Sequence, residues 1–133
     1  MHEEKINFKN TSQIVVTIQN EEFVLLKGDD KFELVLDSFL KSIKNAHDMP
    51  AFGVSIDQET RTAKQNGTWI EFVFDTTQMH NDMPFDSLLI EVNSKSSGFN
   101  LIRKHNQKYD GRCFYFSLKS DMSHLYETLK SLS

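Results

Sequence analysis

Two stretches of this sequence are apolar on both faces of a β-strand, and this feature restricts the possible folds most strongly. In residues 68–75 only Glu71 interrupts the apolar face opposite the phenylalanines, and residues 112–118 show a similar two-sided pattern. The apolar and aromatic positions are Trp69, Ile70, Phe72, Val73 and Phe74 in the first stretch and Cys113, Phe114, Tyr115, Phe116 and Leu118 in the second. An antiparallel strand with one face in water alternates between apolar and polar side chains. Both stretches are therefore predicted to be central strands that are covered on both sides.

A cover for the second sheet face is then required, and three arrangements supply it. The sheet curves and closes over itself, a helix lies on each side, or a second copy of the protein packs against the exposed face. The last arrangement is a homodimer through a sheet face. The sequence leaves these three alternatives open.

Side-chain periodicity predicts the remaining elements. Apolar residues with a period of two predict further strands, and those with a period near 3.6 predict amphipathic helices. The predicted strands are 13–18, 23–26, 52–56, 87–93 and 99–104, and the predicted helices are 31–45 and 122–132. The order is ββα-βββββ-α, in which short connections favour antiparallel neighbours. The fold class predicted is α+β: a mainly antiparallel sheet of about seven strands with two amphipathic helices packed on it.

Local signals mark the ends of these elements. Asp30 and Glu33 have capping-box spacing at the start of the first helix, and Ser120 or Asp121 can cap the last one. Turn residues predict hairpins or turns at 19–22, 66–67 and 110–111. Residues 76–82 are predicted to be a polar loop, and the structure of the polar segment 57–66 stays open.

Length and composition fit one domain, residues 1–133, in which the polar residues 1–11 are expected to be a frayed N-terminus. The chain is 38% apolar, with eleven Phe, and carries a net charge of −4, which excludes a disordered chain. The lone Cys113 favours a reducing compartment, and we expect a cytoplasmic protein without signal peptide or membrane span. The Lys-, Asn- and Phe-rich composition is typical of a bacterium with an AT-rich genome.

Four residues are candidates for a ligand site on the second sheet face. Glu71 and Glu91 are each a lone acid on a predicted apolar strand, 68–75 and 87–93 respectively. Trp69 lies on the first of these strands, and His80 follows it. In a cavity, such acids act as general acids or ligand anchors. If this face is instead a sheet edge or the rim of a cavity, the two carboxylates are only solvated, and the sequence favours this second alternative.

A short repeat suggests a metal site. Asp48-Met49-Pro50 follows His47, and Asp82-Met83-Pro84 follows His80 after one residue. Two His and two Asp brought together would suit a hydrolytic metal ion. Asp and Pro are also ordinary turn formers, and neither His has a local metal-binding spacing. We therefore expect no metal and no cofactor.

Basic residues cluster late in the chain. Residues 94–112 carry a net charge of +4 and the rest of the chain −8, with His105 and Tyr109 among the cations. Arg103, Lys104, Lys108 and Arg112 form a candidate anion-binding or nucleic-acid-binding patch. Lysine and arginine on a strand also block edge pairing, and the acidic total disfavours nucleic acid.

The N-terminal third is acidic, which suits steering of a basic partner or simply a solvated face. Cys113 is expected to be a buried, inert thiol, and no catalytic motif is present. We expect a small non-enzymatic module that binds another protein in a regulatory, adaptor or immunity-like role. The alternative is a small-ligand-binding or hydrolytic domain with a cavity on the sheet face, built from Trp69, Glu71, His80 and Glu91.

Overall fold

The computed structural model describes residues 6–49, 54–109 and 111–132. A short 3₁₀ turn, Phe8–Asn10, precedes the first strand. The strands are β1 (Thr11–Ile18), β2 (Glu21–Leu26), β3 (His47–Met49), β4 (Val54–Ser55), β5 (Thr68–His80), β6 (Met83–Glu91), β7 (Gly98–His105), β8 (Lys108–Tyr109), β9 (Gly111–Arg112) and β10 (Phe114–Ser117). The helices are α1 (Asp30–Ser42), α2 (Asp57–Ala63) and α3 (Ser123–Lys130). The α+β class and the mainly antiparallel sheet are confirmed.

One large antiparallel sheet runs through the domain. Its strands lie in the order β2-β1-β5-β6-β7-β10-β3, and β8 pairs with β7 beyond this path. β4 and β9 form a separate two-stranded ribbon. The strand β5, which the sequence predicts to be central, lies between β1 and β6, and β10 lies between β7 and β3. β2 and β3 are the two edges of the main path.

The main core lies between one sheet face and the helices α1 and α3. Alternate residues of β1, β5 and β6 enter it, including Ile14, Ile70 and Leu88, all with no exposed surface. Aromatic rings meet edge-on at its centre, for example Phe8 against Phe39 with centroids 4.8 Å apart. Burial of these side chains on folding supplies the main stabilisation, about 1.5–3 kcal/mol for each large apolar side chain.

Three tight turns with positive φ set the strand pairings. Gln19–Asn20 joins β1 to β2, Asn81–Asp82 joins β5 to β6, and Asn106–Gln107 joins β7 to β8. Two consecutive residues with positive φ match the right-handed twist of a hairpin, and after glycine, Asn and Asp tolerate this conformation best. The predicted hairpin at 19–22 is therefore confirmed.

Several predicted boundaries are wrong. Residues 76–80 are not a loop, because β5 continues to His80 after a bulge in its pairing with β6 between Val73 and Gln78. The sequence does not predict the β7–β8 hairpin, which turns at Asn106–Gln107. Of the predicted turn at 110–111, Asp110 lies outside the described residues and Gly111 has a positive φ. Phe52 and Gly53 of the predicted strand 52–56 also lie outside them.

The first and last helices start differently from the prediction. Asp29, not Asp30, is the N-cap of α1, and the Glu33 N–H donates to the Asp29 carbonyl at 3.1 Å. Met122, rather than Ser120 or Asp121, is the N-cap of α3, and Asp121 accepts the Ser123 N–H at 3.0 Å from one residue earlier. The polar start of the chain is not frayed as far as residue 11, because Phe8 and Thr11 are buried.

Candidate functional site

A third helix, α2, covers part of the second sheet face. It lies beside β8, over a small apolar cluster of Trp69, Leu89 and Tyr109, against which Ile102 packs. Residues 57–66, whose structure the sequence leaves open, therefore supply part of the cover that the two-sided strands require. The described cover is a helix on each side of the sheet.

Glu71 lies at the centre of this covered region. It is only 5% exposed, so the predicted solvated position is wrong. Its carboxylate accepts hydrogen bonds from the Tyr109 hydroxyl and from Ser87 Oγ at 2.9 Å. The ammonium groups of Lys64 and Lys104 each lie 3.7 Å from one carboxylate oxygen. A buried carboxylate needs such partners, because the free energy lost when its charge is removed from water must be offset by hydrogen bonds and opposite charges.

Tyr109 joins α2 to the sheet. Its ring is surrounded by the cationic ends of Arg61, Lys64 and Lys104, at 5.1, 5.4 and 5.1 Å from the centroid. Burial and the neighbouring Glu71 carboxylate raise the pKa of the Tyr109 hydroxyl far above its usual range. The hydroxyl therefore stays protonated and acts as a hydrogen-bond donor, which makes the cluster a structural network rather than a source of a nucleophile.

Asp57 fixes the start of α2. Its carboxylate accepts the Arg61 Nε–H at 2.9 Å and the Tyr109 backbone N–H at 2.8 Å. The Arg61 hydrogen bond and then the Tyr109 N–H lower the pKa of Asp57 below its usual value. Arg61 also donates to the Gln107 carbonyl at 2.8 Å, so one helical turn binds the β7–β8 hairpin twice.

The predicted ligand residues are not brought together. Trp69 and Glu91 line a groove of about 300 Å³ on the second face, whereas Glu71 is enclosed beneath α2. Trp69 donates its indole N–H to the Asn66 carbonyl at 2.6 Å, and Glu91 is exposed as the solvated alternative predicts. His80 lies on the helix-covered face, where its ring meets Phe114. No single cavity contains all four residues.

The predicted basic patch is divided between different surroundings. Lys104 contacts the Glu71 network, while Arg103 donates to the carbonyls of Arg112 at 2.7 Å and Pro84 at 2.8 Å. Lys108 and Arg112 are exposed. Arg103 and Lys108 line one pocket together with His105 and Asn106. Tyr109 is buried, so its ring is not available to stack on a base.

Half of the predicted histidine–aspartate group does assemble. His80 Nε2 lies 2.6 Å from Asp48 Oδ2. His47 is exposed on β3, Asp82 is in the β5–β6 turn, and Pro50 lies outside the described residues. Among the residues that the structure describes, no three His, Cys, Asp or Glu side chains are close enough to hold a metal ion.

Cys113 is buried, as predicted. Its sulfur lies 3.2 Å from Ser55 Oγ, where β4 and β9 approach each other. Burial of the thiol beside a neutral hydroxyl fits an inert packing role, because reactive thiolates need cationic surroundings.

The second sheet face is open at its other end, on β1 and β2. Val24 and Leu26 are each 53% exposed, and both project from β2 on the face opposite the main core. Val15 and Val73, half-buried, share this face through the ladders β2-β1-β5. We refer to Val15, Val24, Leu26 and Val73 as the apolar edge patch. Large apolar side chains left exposed side by side are typical of interaction surfaces.

The outer side of β2 has open backbone groups. The Lys27 N–H donates to the Ser12 carbonyl at 3.2 Å, so residues 21, 23, 25 and 27 face β1 and the alternate residues face outward. Asp29 occupies the outward groups of Leu26: it accepts the Leu26 N–H at 3.2 Å and donates to the Leu26 carbonyl at 3.0 Å. No described residue bonds the outward groups of Glu22 and Val24.

Negative charge surrounds this edge. Residues 21–37, which span β2 and most of α1, contain six acidic residues against two lysines, a net charge of −4. All six acids are exposed: Glu21, Glu22, Asp29, Asp30, Glu33 and Asp37. The acidic surface expected from the sequence is thus adjacent to an open strand edge, a combination that periodicity alone does not reveal.

Comparisons with known proteins provide no functional assignment. Neither protein-family models, nor curated proteins, nor solved structures give a significant match to this chain. In the part of the chain that the structure describes, none of the helices has the length and apolar character needed to cross a membrane.

Proposed function

We propose that this protein is a non-enzymatic binding module that takes an extended, basic segment of another protein onto the outer edge of β2. The observation that carries the proposal is the set of open backbone groups of Glu22 and Val24 beside exposed apolar side chains. An added strand forms main-chain hydrogen bonds with such an edge and places alternate side chains on each sheet face. The role is regulatory, adaptor-like or immunity-like.

Charge defines the chemistry of the segment. A partner strand with lysine or arginine at alternate positions would place these cations next to Glu21 and the acids of α1, while its apolar residues would contact Val24 and Leu26 on the other face. Opposite charges accelerate encounter and select the partner. A second copy of this chain is a poor occupant, because β2 contains two glutamates and no lysine or arginine to meet the acidic edge.

The charge of this edge is expected to oppose indiscriminate pairing between copies of the domain. Natural edge strands are commonly short and charged, which opposes indiscriminate pairing. β2 has six residues, of which the first two are glutamates. An edge of this kind accepts a basic strand and rejects neutral or acidic ones. The buried thiol of Cys113 fits a reducing compartment such as the cytoplasm.

Binding of a defined peptide tests this proposal. The probe is a synthetic peptide of alternating lysine and valine, equal in length to β2, and the reference is the same peptide with glutamate in place of lysine. Titration calorimetry at low salt is expected to give an affinity at least about tenfold higher for the basic peptide, because each favourable charge pair adds to the main-chain hydrogen bonds.

Two substitutions of Val24 test the position of the bound peptide, with Val24→Thr as the control for Val24→Pro. The Val24 N–H faces outward, so Val24→Pro removes the donor that a partner needs and leaves the β1–β2 ladder intact. Val24→Thr keeps the donor and the strand preference. We expect Val24→Pro to lose binding and Val24→Thr to retain it within about threefold. Equal binding of both peptides, or full binding by Val24→Pro, would refute the proposal.

A further inference from the structure

A second candidate site lies on the opposite side of the sheet, away from the edge of β2. A cavity of about 480 Å³ opens between the end of α1, the N-terminal 3₁₀ turn and strands β3, β5 and β10. Its described lining includes Phe8, Ile43, Ala46, Asp48, His80 and Phe116. A volume of this size is within the usual range for small-molecule sites, roughly 300–1,000 Å³.

Apolar and polar groups are separated within this cavity. Phe8, Ile43 and Phe116 belong to the main core or pack against it, and they form an apolar wall. Asp48 and His80 provide a polar region, where His80 is 4% exposed and Asp48 presents about one third of its side chain. Ligand sites commonly combine a mainly apolar wall with a few converging polar groups.

The hydrogen bond between these two residues fixes what the polar region can recognise. A carboxylate only accepts hydrogen bonds, so Nε2 of His80 carries the hydrogen and donates it to Asp48 Oδ2 at 2.6 Å. The ring of Phe114 lies edge-on to His80, at 4.7 Å between centroids and an interplanar angle of 80°. The orientation of Asp48 is thereby set from one side, while no described residue donates a hydrogen bond to its Oδ1.

We propose that this cavity binds a small apolar molecule that carries a primary ammonium group, with the ammonium on Asp48 and the apolar body against Phe8, Ile43 and Phe116. Asp48 is the one carboxylate among the described lining residues and its Oδ1 is open, so a donor that is also a cation satisfies it best. A hydroxyl group would donate without neutralising the charge, and a carboxylate would be repelled.

A matched ligand series tests the proposal. Tryptamine, tryptophol and indole-3-propionate share an indole ring and differ in the ammonium, hydroxyl or carboxylate that they carry. Backbone amide spectra should shift at Phe8, Ala46 and Phe116 on titration, and tryptamine should bind about tenfold more tightly than tryptophol, as charge-assisted hydrogen bonds do relative to neutral ones. Indole-3-propionate should bind most weakly.

Substitution of Asp48 distinguishes binding at this carboxylate from general attraction of a cation to the negatively charged protein. Asp48→Asn keeps the shape and an acceptor for His80 but removes the charge, and it should bring the affinities for tryptamine and tryptophol within about twofold. Asp37→Asn removes a charge from the exposed surface of α1 and should preserve the tenfold preference.

Several results would overturn the proposal whether or not the variants fold. They are shifts at Trp69 and Ile102 instead of the cavity residues, equal affinity of wild type for tryptamine and tryptophol, and no binding of tryptamine at all. Failure of this series leaves the β2-edge proposal intact, because no cavity residue belongs to β2.

Discussion

Glu71 and Glu91 show how strongly the surroundings decide the role of a side chain. Both are lone acids on the second face of adjacent strands, and Leu89, which pairs with Glu71, is two residues before Glu91 on β6. Glu71 is enclosed by Tyr109, Ser87 and two lysines, whereas Glu91 reaches solvent at the rim of a groove. One carboxylate therefore belongs to a buried polar network, and the other is solvated.

A pair of alanine substitutions measures this difference. Glu71→Ala should lower the free energy of unfolding by about 3–5 kcal/mol, because it leaves Lys64 and Lys104 without their buried counter-charge. Glu91→Ala should change it by less than about 0.5 kcal/mol, as at most exposed positions. Urea denaturation monitored by circular dichroism gives both values. Similar losses for the two variants would contradict the assignment of Glu71 as the centre of the network.

The sequence predicted the surroundings of a residue correctly where those surroundings come from the residue's own strand. Cys113 is buried as expected because its own strand is apolar on both sides. The sequence singled out Glu71 and Glu91 but had no means to distinguish them, because the residues that enclose Glu71 come from α2 and β8. Asp48 and His80 were both singled out, although their pairing across strands was not predictable from local spacing.

At the scale of elements, α2 depends on polar anchors rather than on an apolar stripe. Its seven residues, Asp57–Ala63, bury only Thr60. A helix this short is unstable alone, so its contacts with the β7–β8 hairpin hold it in place. Asp57 supplies two of these contacts, with Arg61 and with the Tyr109 N–H. The missing apolar period is also why the sequence did not predict this helix.

The stability of α2 should decrease as the pH falls. The pKa of Asp57 is lowered in the folded state, so its contribution is complete above its unfolded value, near pH 4, and is lost as the pH falls below that. Hydrogen-exchange protection of the α2 amides should therefore be lower at about pH 3 than at about pH 6. In Asp57→Asn, protection should be lower at neutral pH and less dependent on acid.

Glu59→Gln is the matched control, because Glu59 has the same charge, lies in the same turn and is exposed. This variant should behave as wild type. An Asp57→Asn variant with unchanged protection at both pH values would show that Asp57 does not anchor the helix.

Most strands and two helices were predictable because their signals are local. Alternation over two residues or 3.6 residues directly reflects which side faces the core, and Asn20 marks the first hairpin turn. The continuation of β5 to His80 was missed because residues 75–79 are mainly exposed and polar, so they resemble a loop. Their pairing with β6 is set by the Asn81–Asp82 turn that follows β5 and by the bulge between Val73 and Gln78.

At the scale of the whole molecule, the sheet is covered unevenly. α1 and α3 cover one face, while α2 and β8 cover only the part of the other face around Trp69, Leu89 and Tyr109. The apolar edge patch and the outward backbone of β2 are left open beside six exposed acids. The prediction that the two-sided strands need a second cover is met around Trp69, and the remaining open surface is the basis of the proposed function.

Residue-resolved hydrogen exchange at β2 tests the account most directly. In the free protein, the amides of Phe23 and Leu25 should be protected by β1, whereas those of Glu22 and Val24 should exchange nearly as fast as in an unstructured chain. Saturation with the lysine–valine peptide should protect Glu22 and Val24 by at least about tenfold, because a paired strand then accepts their hydrogens. Slow exchange of Glu22 and Val24 in the free protein, or no added protection with the peptide bound, would contradict the account.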